Sequence, residues 1–237
     1  RVLETVPELR LISKYGVGLD GADSITVSKD GKHVYVASFN SDTVTIFSRN
    51  KTTGALTQLA APNGCIANSG DGVTCTDGLG LDGARTVSVS KDGKHVYVAS
   101  QISDAIAIFS RNKTTGALTQ LAAPTGCLAH LGDGVTCTDG LGLDGPRSVT
   151  VSKDGKHVYV ASVNSDAVTI FSRNKTTGAL TQFAAPTGCI ADSGNGVTCT
   201  DGLGLDGPVS VTVSKDGKHV YVVSSGSDAV TAFAREQ

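Results

Sequence analysis

The sequence predicts an all-β protein, a four-bladed β-propeller made of four-stranded repeats of 62 residues. The first observation is the stretch SKDGKHVYV, which begins at residues 28, 90, 152 and 214 without a change. The second is that each repeat holds short segments rich in Val, Ile and Thr, separated by Gly, Asp and Asn turns. The third is that no segment has helical periodicity. Radial repetition of four-stranded units is typical of propellers.

The second repeat shows the elements in order. RTVSVS (85–90), HVYVAS (95–100), AIAIFSR (105–111) and ALTQLA (117–122) have the composition and alternation of half-buried strands. KDG and NKTTG form the turns between them, because Gly tolerates a positive φ. A long Gly-rich loop, 123–145, leads to the next repeat. We expect residues 1–237 to form one domain, with blades at about 22–59, 84–121, 146–183, and 208–235 completed by 8–13.

The last repeat has only three strand-like segments. ELRLIS (8–13) is a candidate for its fourth strand, since it is followed by YGVGLDG (15–21), which matches DGLGLDG (77–83). We expect this N-terminal strand to close the last blade and to cover an exposed sheet edge. The alternative is an open half-ring that dimerises into eight blades.

The cysteines occur in three pairs, each pair ten residues apart in a Gly-rich loop. Zinc ligand pairs are usually closer in sequence and are joined by His or by more Cys. The constant spacing therefore predicts disulfides that staple the inter-blade loops, each contributing about 3 kcal/mol. It also predicts an oxidising location, secreted, extracellular or periplasmic. The expected pairs are Cys65–Cys75, Cys127–Cys137 and Cys189–Cys199.

Composition argues against several partners. The net charge is −2, which favours neither nucleic acid nor an anionic membrane. No apolar run approaches the roughly 20 residues of a membrane span. The Asp residues of 70–83 do not match a calcium-loop spacing, so we expect no metal and no cofactor, with calcium as the alternative. Asn50, Asn112 and Asn174 lie in N-K-T sequons, which matter only in a eukaryotic source.

Three motifs resemble a known group. VSKDGKHVYVAS, SDAVTIFSRN and TTGALTQL are similar to the YVTN-type repeats of the lactonase-like propeller family. The resemblance covers nearly the whole chain and implies the fold. Family members include lactone hydrolases, muconate-lactonising enzymes and cell-surface proteins, more often with six or seven blades. Because of the blade number, no family site residue is carried over. The chain also has Lys where the family usually has Pro, at Lys29, Lys91, Lys153 and Lys215.

The copies differ mainly at positions that a propeller places at one mouth of its central channel. They differ at the start of the first strand and in the loop after the second strand, whereas the KDG and NKTTG turns are invariant. A rigid scaffold with variable loops is typical of a binding site. The candidate ligand-binding residues are Asp23, Arg85, Arg147, Phe39, Asn40, Gln101 and Asn164.

Arg85 and Arg147 have the chemistry to bind a carboxylate or a phosphate, because each guanidinium donates paired hydrogen bonds. Asp23 could act as a general base, or it could form an internal salt bridge that plugs the channel. His130 is the second catalytic candidate, although a solvated loop His fits as well. The repeated His33 and its counterparts lie away from the axis, so we expect a packing role rather than a metal ring.

The function predicted from these residues is a secreted binding or scaffold module. Its variable mouth would recognise a small anionic ligand or a surface partner. The alternative is a lactone hydrolase or lyase at the same mouth, acting on a small carboxylate or lactone. A lectin is the third candidate, although the chain has no Trp on which a sugar could stack. We expect a monomer, with the eight-bladed dimer as the alternative.

Overall fold

All the regular secondary structure is β-strand in the part that the computed structural model describes, residues 16–194 and 198–235. These residues form 21 strands in four sheets and contain no helix. The all-β prediction and the repeated strand units are therefore confirmed. No helix that could span a membrane occurs in these two ranges. The predicted closing strand, 8–13, lies outside the described residues.

The four sheets follow one another along the chain as blades 1 to 4. Blade 1 contains β1 (Ala22–Val27), β2 (His33–Ser38), β3 (Thr43–Arg49), β4 (Leu56–Gln58), β5 (Cys65–Asn68) and β6 (Thr76–Gly78). Blade 2 contains β7 (Ala84–Val89), β8 (His95–Ser100), β9 (Ala105–Arg111), β10 (Leu118–Gln120), β11 (Cys127–Ala129) and β12 (Thr138–Asp139). Blade 3 contains β13 (Pro146–Val151), β14 (His157–Ser162), β15 (Ala167–Arg173), β16 (Leu180–Gln182), β17 (Cys189–Asp192) and β18 (Thr200–Gly202). Blade 4 contains β19 (Pro208–Val213), β20 (His219–Ser224) and β21 (Ala229–Ala234).

The outer edge of each complete blade differs from the predicted single fourth strand. β4 pairs antiparallel with the end of β3, where Leu56 is opposite Arg49. β5 pairs antiparallel with the beginning of the same strand, where Cys65 is opposite Thr45. The fourth position is therefore shared by two short strands. β6 then adds a fifth position, parallel to β5. Thr-Asp-Gly has low β-propensity, so the sequence pattern did not indicate this strand.

Disulfides join the two outermost strands of each complete blade. Cys65 begins β5, and its partner Cys75 immediately precedes β6. The bond thus holds the Gly-rich loop against the edge of the sheet. All three predicted pairs are formed: Cys65–Cys75, Cys127–Cys137 and Cys189–Cys199.

The core lies between neighbouring blades. The inner strands β1, β7, β13 and β19 are adjacent in that order. The exposed fraction of one equivalent residue in each inner strand shows which blades have the preceding blade packed against them. Val87, Val149 and Val211 are 3%, 3% and 4% exposed, whereas the equivalent Ile25 of blade 1 is 64% exposed. At the other end, Tyr221 of blade 4 is 38% exposed. The described blades therefore form an open array, and closure of a four-bladed ring stays a prediction.

Blade 4 has three strands among the described residues, and an apolar groove of about 500 Å³ lies between it and blade 3. Phe183, Ile190 and Phe233 are among the residues that line it. In the complete blades, β10 and β16 place Leu118 and Leu180 in the corresponding cores. The groove is therefore the space that a fourth strand of blade 4 would occupy.

Candidate functional site

A β-bulge sets the position of the first variable residue in every blade. The pairing of β7 with β8 shifts register between Ala84 and Thr86, so Arg85 has no partner in the ladder. The same shift leaves Asp23 and Arg147 outside the pairing in blades 1 and 3. A bulge redirects the side chain of the extra residue. One acidic and two basic side chains are thus displayed at equivalent points of adjacent inner strands.

Arg85 is held from three sides. Its Nη1 donates to Asp23 Oδ2 at 2.5 Å, which links blade 2 to blade 1. Its Nε donates to Gln101 Oε1 at 2.8 Å. Its guanidinium carbon lies 3.7 Å from the centroid of the Phe39 ring, a cation–π geometry. The Asp23–Arg85 salt bridge weighed in the sequence analysis is therefore formed.

Arg147 lacks such a carboxylate. Its Nε donates to Gln101 Oε1 at 3.3 Å, so the Gln101 side chain joins the two guanidiniums. No ion pair of Arg147 occurs within residues 16–194 and 198–235. The group of Asp23, Arg85, Gln101 and Arg147, which we call the arginine cluster, therefore carries one more positive than negative charge.

The other predicted site residues make their contacts elsewhere. Asn164 Nδ2 donates to Asp144 Oδ1 at 2.9 Å within the loops of blade 3. Asn40 lies against Gly21. The His130 backbone N–H donates to the Asp104 carbonyl at 2.9 Å, beside a disulfide loop. The structure thus brings together Asp23, Phe39, Arg85, Gln101 and Arg147, and it does not join the remaining candidates to them.

A second polar group, which the sequence analysis missed, lies buried between blades. Arg111 of blade 2 reaches into blade 1, where its Nε donates to Tyr35 Oη at 2.7 Å. Its Nη2 donates to both Asp30 carboxylate oxygens at 3.2 Å and contacts His33 Nδ1 at 2.7 Å. We call this arrangement of Asp, His and Tyr around an Arg the inter-blade arginine site. It recurs around Arg173, whereas Arg235 makes the equivalent Asp and His contacts but has no hydrogen-bond partner for its Nε in the described residues.

Burial and charge fix the protonation states in this site. Burial, together with the Arg111 charge, lowers the pKa of His33, so the imidazole is neutral. Burial raises the pKa of Tyr35 to about 12. Burial would raise the pKa of Asp30, but hydrogen bonds from Ser28, Lys32 and Arg111 outweigh it and hold the pKa well below its usual range. The repeated His therefore packs against an Arg. No group of three His, Cys, Asp or Glu side chains able to hold a metal is found in the described ranges.

Pairs of carboxyl groups also meet where blades join. The Gly145 N–H donates to Asp104 Oδ1 at 2.7 Å, and Asp144 lies close enough to disfavour a second charge. Burial first, and then Asp144, raise the pKa of Asp104. Asp42 and Asp82 form the equivalent pair, in which burial and Asp42 raise the pKa of Asp82. These pairs lie at the blade junctions and make no contact with the arginine cluster.

Solved structures share this fold. A candidate 6-phosphogluconolactonase from Bacteroides fragilis is 19% identical, with a TM-score of 0.62 over 91% of this chain and 51% of that one. The periplasmic gluconolactonase of Pseudomonas aeruginosa is 17% identical, with a TM-score of 0.56 over 91% of this chain and 50% of that one. At these identities the likeness establishes a propeller fold and no more.

Sequence comparisons identify relatives and a family. An uncharacterised protein of Lactococcus lactis is 26% identical over 170 residues, which are 70% of this chain and 43% of the relative. An uncharacterised protein of Staphylococcus epidermidis is 23% identical over 94% of this chain and 55% of its own length. The chain thus spans about half the length of these relatives. The family described as "Lactonase, 7-bladed beta-propeller" matches residues 1–65, 75–128 and 137–191, which is most of the sequence. This chain therefore belongs to the seven-bladed β-propeller lactonase family.

Proposed function

We propose that the chain binds a small sugar-acid carboxylate at the mouth of its channel, with Arg147 as the principal contact. The observation that carries this proposal is the unbalanced charge of the arginine cluster. Arg85 has a carboxylate partner at 2.5 Å, whereas among the described residues the side-chain partner of Arg147 is the neutral Gln101. A half-buried guanidinium without a counter-ion is a strong site for a carboxylate, because it can donate two parallel hydrogen bonds.

The neighbours of Arg147 favour an ordered site. Gln101 fixes the Nε edge of the guanidinium, which leaves both Nη groups for a ligand. Arg85 is immobilised by Asp23 and by the Phe39 ring, so the groups beside Arg147 need little ordering when a ligand binds. A carboxylate at Arg147 would thus meet a preformed cluster with one net positive charge, because Asp23 balances the charge of Arg85.

Lactone hydrolysis at the same mouth is the second candidate. It is favoured by the family and by the gluconolactonase named among the similar structures. In this case a water would add across the ester C–O bond, with Asp23 as the general base and Arg147 near the carbonyl oxygen. Asp23 is engaged by Arg85, so it would have to exchange this partner for the water. For this reason we place binding before turnover.

The disulfides support a location outside the reducing cytoplasm, secreted or periplasmic. A sugar acid or its lactone in such a compartment is a small, soluble and anionic or neutral ligand. We include neither a metal nor another cofactor in the proposal, since the arginine cluster provides the charge that recognition of a carboxylate requires.

Calorimetric titration with gluconate and 6-phosphogluconate tests the binding proposal. We expect the wild-type chain to bind at least one acid and the Arg147→Gln variant to bind it at least tenfold more weakly. Lys113→Gln, an exposed change on an invariant turn, is the matched control and should leave the dissociation constant unchanged. Equal affinity of the wild type and the Arg147 variant would refute the site. In parallel, proton release from the corresponding lactones, lost in Asp23→Asn, would establish the second candidate.

A further inference from the structure

The two end faces of the open array differ from each other. Each has the residues that one side of an internal contact between neighbouring blades, here called a joint, contributes. The leading face is the exposed face of blade 1, which carries Ile25, Val27 and Arg49. The trailing face is the exposed face of blade 4, which carries Asp216, His219 and Tyr221. We propose that two copies of this chain associate head to tail, the leading face of each on the trailing face of the other, and close one ring of eight blades.

The internal joints show what each end face is built to contact. At every internal joint the later blade contributes the Arg at the end of its third strand, and the earlier blade contributes an Asp and a His that contact this Arg. At two of the three joints a Tyr of the earlier blade also accepts a hydrogen bond from it. Arg111 and Arg173 fill this site with guanidiniums that are 1% and 0% exposed. The later blade also inserts one apolar residue of its inner strand, such as Val87. The contacts therefore have a direction, from the later blade to the earlier one.

The leading face carries the Arg of a joint but not the Asp, His and Tyr that surround this Arg at the internal joints. Arg49 is the equivalent of Arg111, and its Nη1 donates to the Gly31 carbonyl at 3.1 Å as that of Arg111 does to Gly93. In the described part of the chain Arg49 has no Asp, His or Tyr partner. Ile25, the equivalent of Val87, is exposed on the same face. An Arg held by its own turn, on a face that also exposes apolar side chains, is prepared for a docking partner.

The trailing face has the site without the Arg. Asp216 accepts hydrogen bonds from the Ser214 hydroxyl at 2.5 Å and the Lys218 N–H at 3.0 Å, as Asp30 does from Ser28 and Lys32. Tyr221 has the same place in its strand pairing as the buried Tyr35. No Arg reaches this group among the residues described. The carboxylate therefore has the charge complementary to that of Arg49, in a geometry that three internal joints already use.

The shape of the array favours a second copy over closure within one chain. Its inner strand β1 is not packed on β19 in the described ranges, so both end faces of the described array are open. The two end faces of a half-ring face the same side, so a second half-ring can cover both of them at once. Two half-rings related by a twofold axis bring each leading face onto a trailing face, and such a head-to-tail contact closes because the second joint repeats the first. The proposal does not depend on the ligand at the mouth.

Light scattering coupled to gel filtration tests the proposal on the 237-residue chain. At micromolar concentration we expect twice the single-chain mass of 24.1 kDa. Arg49→Glu and Asp216→Arg should each raise the dimer dissociation constant at least tenfold, because each places like charges at both joints. An equimolar mixture of these two variants should recover the dimer. The mixed dimer has Arg49 opposite Asp216 at one joint. At the other joint the two substituted residues, whose charges are reversed, are opposite each other.

Lys113→Glu, a charge reversal remote from both faces, is the control and should stay dimeric. Two results would overturn the proposal. One is a single-chain mass for the wild type at all concentrations, with no change in stability in either variant. The other is a monomer that each charge reversal destabilises and the double variant restores, which would show closure within one chain. Failure of the mixture to recover the dimer would also contradict the pairing of Arg49 with Asp216.

Discussion

Arg111 Nη2 lies 2.7 Å from His33 Nδ1 across the boundary between blades 2 and 1. An arginine keeps its protons at all ordinary pH values, so His33 Nδ1 must accept this hydrogen bond and the ring proton must be on Nε2. The contact therefore requires a neutral imidazole. Because Arg173–His95 and Arg235–His157 repeat it at 2.6 and 2.7 Å, the protonation of three His residues is linked to blade packing.

Acid should destabilise the protein through these histidines. Burial, followed by the neighbouring Arg charge, lowers the pKa of His33, His95 and His157 in the folded state. The unfolded chain binds protons near pH 6.5 whereas the folded chain does not, so stability is complete above that pH and falls as the pH decreases below it. We expect the free energy of unfolding to decrease progressively between pH 6.5 and 5.5, measured by urea unfolding.

The matched comparison uses His95→Gln and His130→Gln. The first removes one of the buried histidines, so it should lower stability at pH 7.5 and also reduce the acid-dependent loss. The second removes His130, which lies beside a disulfide loop and contacts no Arg in the described structure. It should leave the acid-dependent loss as in the wild type. If the free energy of unfolding of the wild type and of His95→Gln decreased in parallel with pH, the acid-dependent loss could not be assigned to the buried histidines.

Repetition made much of the fold predictable. Alternating Val, Ile and Thr indicated the three inner strands of each blade, and constant Cys spacing indicated the disulfides. β6 was missed because its Thr-Asp-Gly segment pairs only where the disulfide and the neighbouring strand hold it. The inter-blade arginine site was missed because all copies of its residues are identical and their contacts join residues 78 positions apart. No local pattern reports such a contact.

The candidate site was predictable in part, through divergence between copies. Divergence indicated Asp23, Arg85 and Arg147, and the structure displays all three at equivalent bulges. The same criterion selected Asn164 and His130, whose contacts lie in loops away from the arginine cluster. Divergence reports which positions tolerate change, but the direction of a loop side chain depends on local turns that differ little in sequence.

Removing a guanidinium from the inter-blade arginine site should be costly. In Arg173→Leu, Asp92, His95 and Tyr97 lose the group that bridges them at 3.0, 2.6 and 2.7 Å. The Arg173 side chain is fully buried, so water cannot replace it without opening the joint. We expect a loss of about 3–5 kcal/mol in the free energy of unfolding. Lys175→Ala, an exposed change in the adjacent turn, should cost less than about 0.5 kcal/mol. A loss below 1 kcal/mol for Arg173→Leu would show that the site is not a major source of stability.

Asp104 and Asp144, the carboxyl pair between blades 2 and 3, should make stability depend on pH in the opposite direction. The pKa of Asp104 is raised by burial and by Asp144, so ionisation of Asp104 penalises the folded state at neutral pH but not in acid. Asp104→Asn keeps the acceptor for the Gly145 N–H and suits the positive φ of 49°. It should raise stability by about 0.5–1 kcal/mol at pH 7.5, with no gain near pH 3. Asp228→Asn is the control. Asp228 has nearly the same positive φ, 48°, but in the described chain no carboxyl group equivalent to that of Asp144 lies beside it. An equal gain in both variants would attribute the effect to the backbone instead.

Two glycines separate backbone strain from contact at the blade boundary. Gly116 has a φ of +84°, and a Cβ there would overlap the His33 ring of the preceding blade. Gly134 has a φ of +70°, and a Cβ there would meet nothing within 4 Å. Both Ala variants carry the cost of a left-handed residue, about 1 kcal/mol. Only Gly116→Ala must also displace His33, whose Nδ1 is held by Arg111. We therefore expect Gly116→Ala to lose at least about 2 kcal/mol more than Gly134→Ala in thermal or urea unfolding. Equal losses would mean that His33 moves freely, and the neutral imidazole would then not be fixed between the blades.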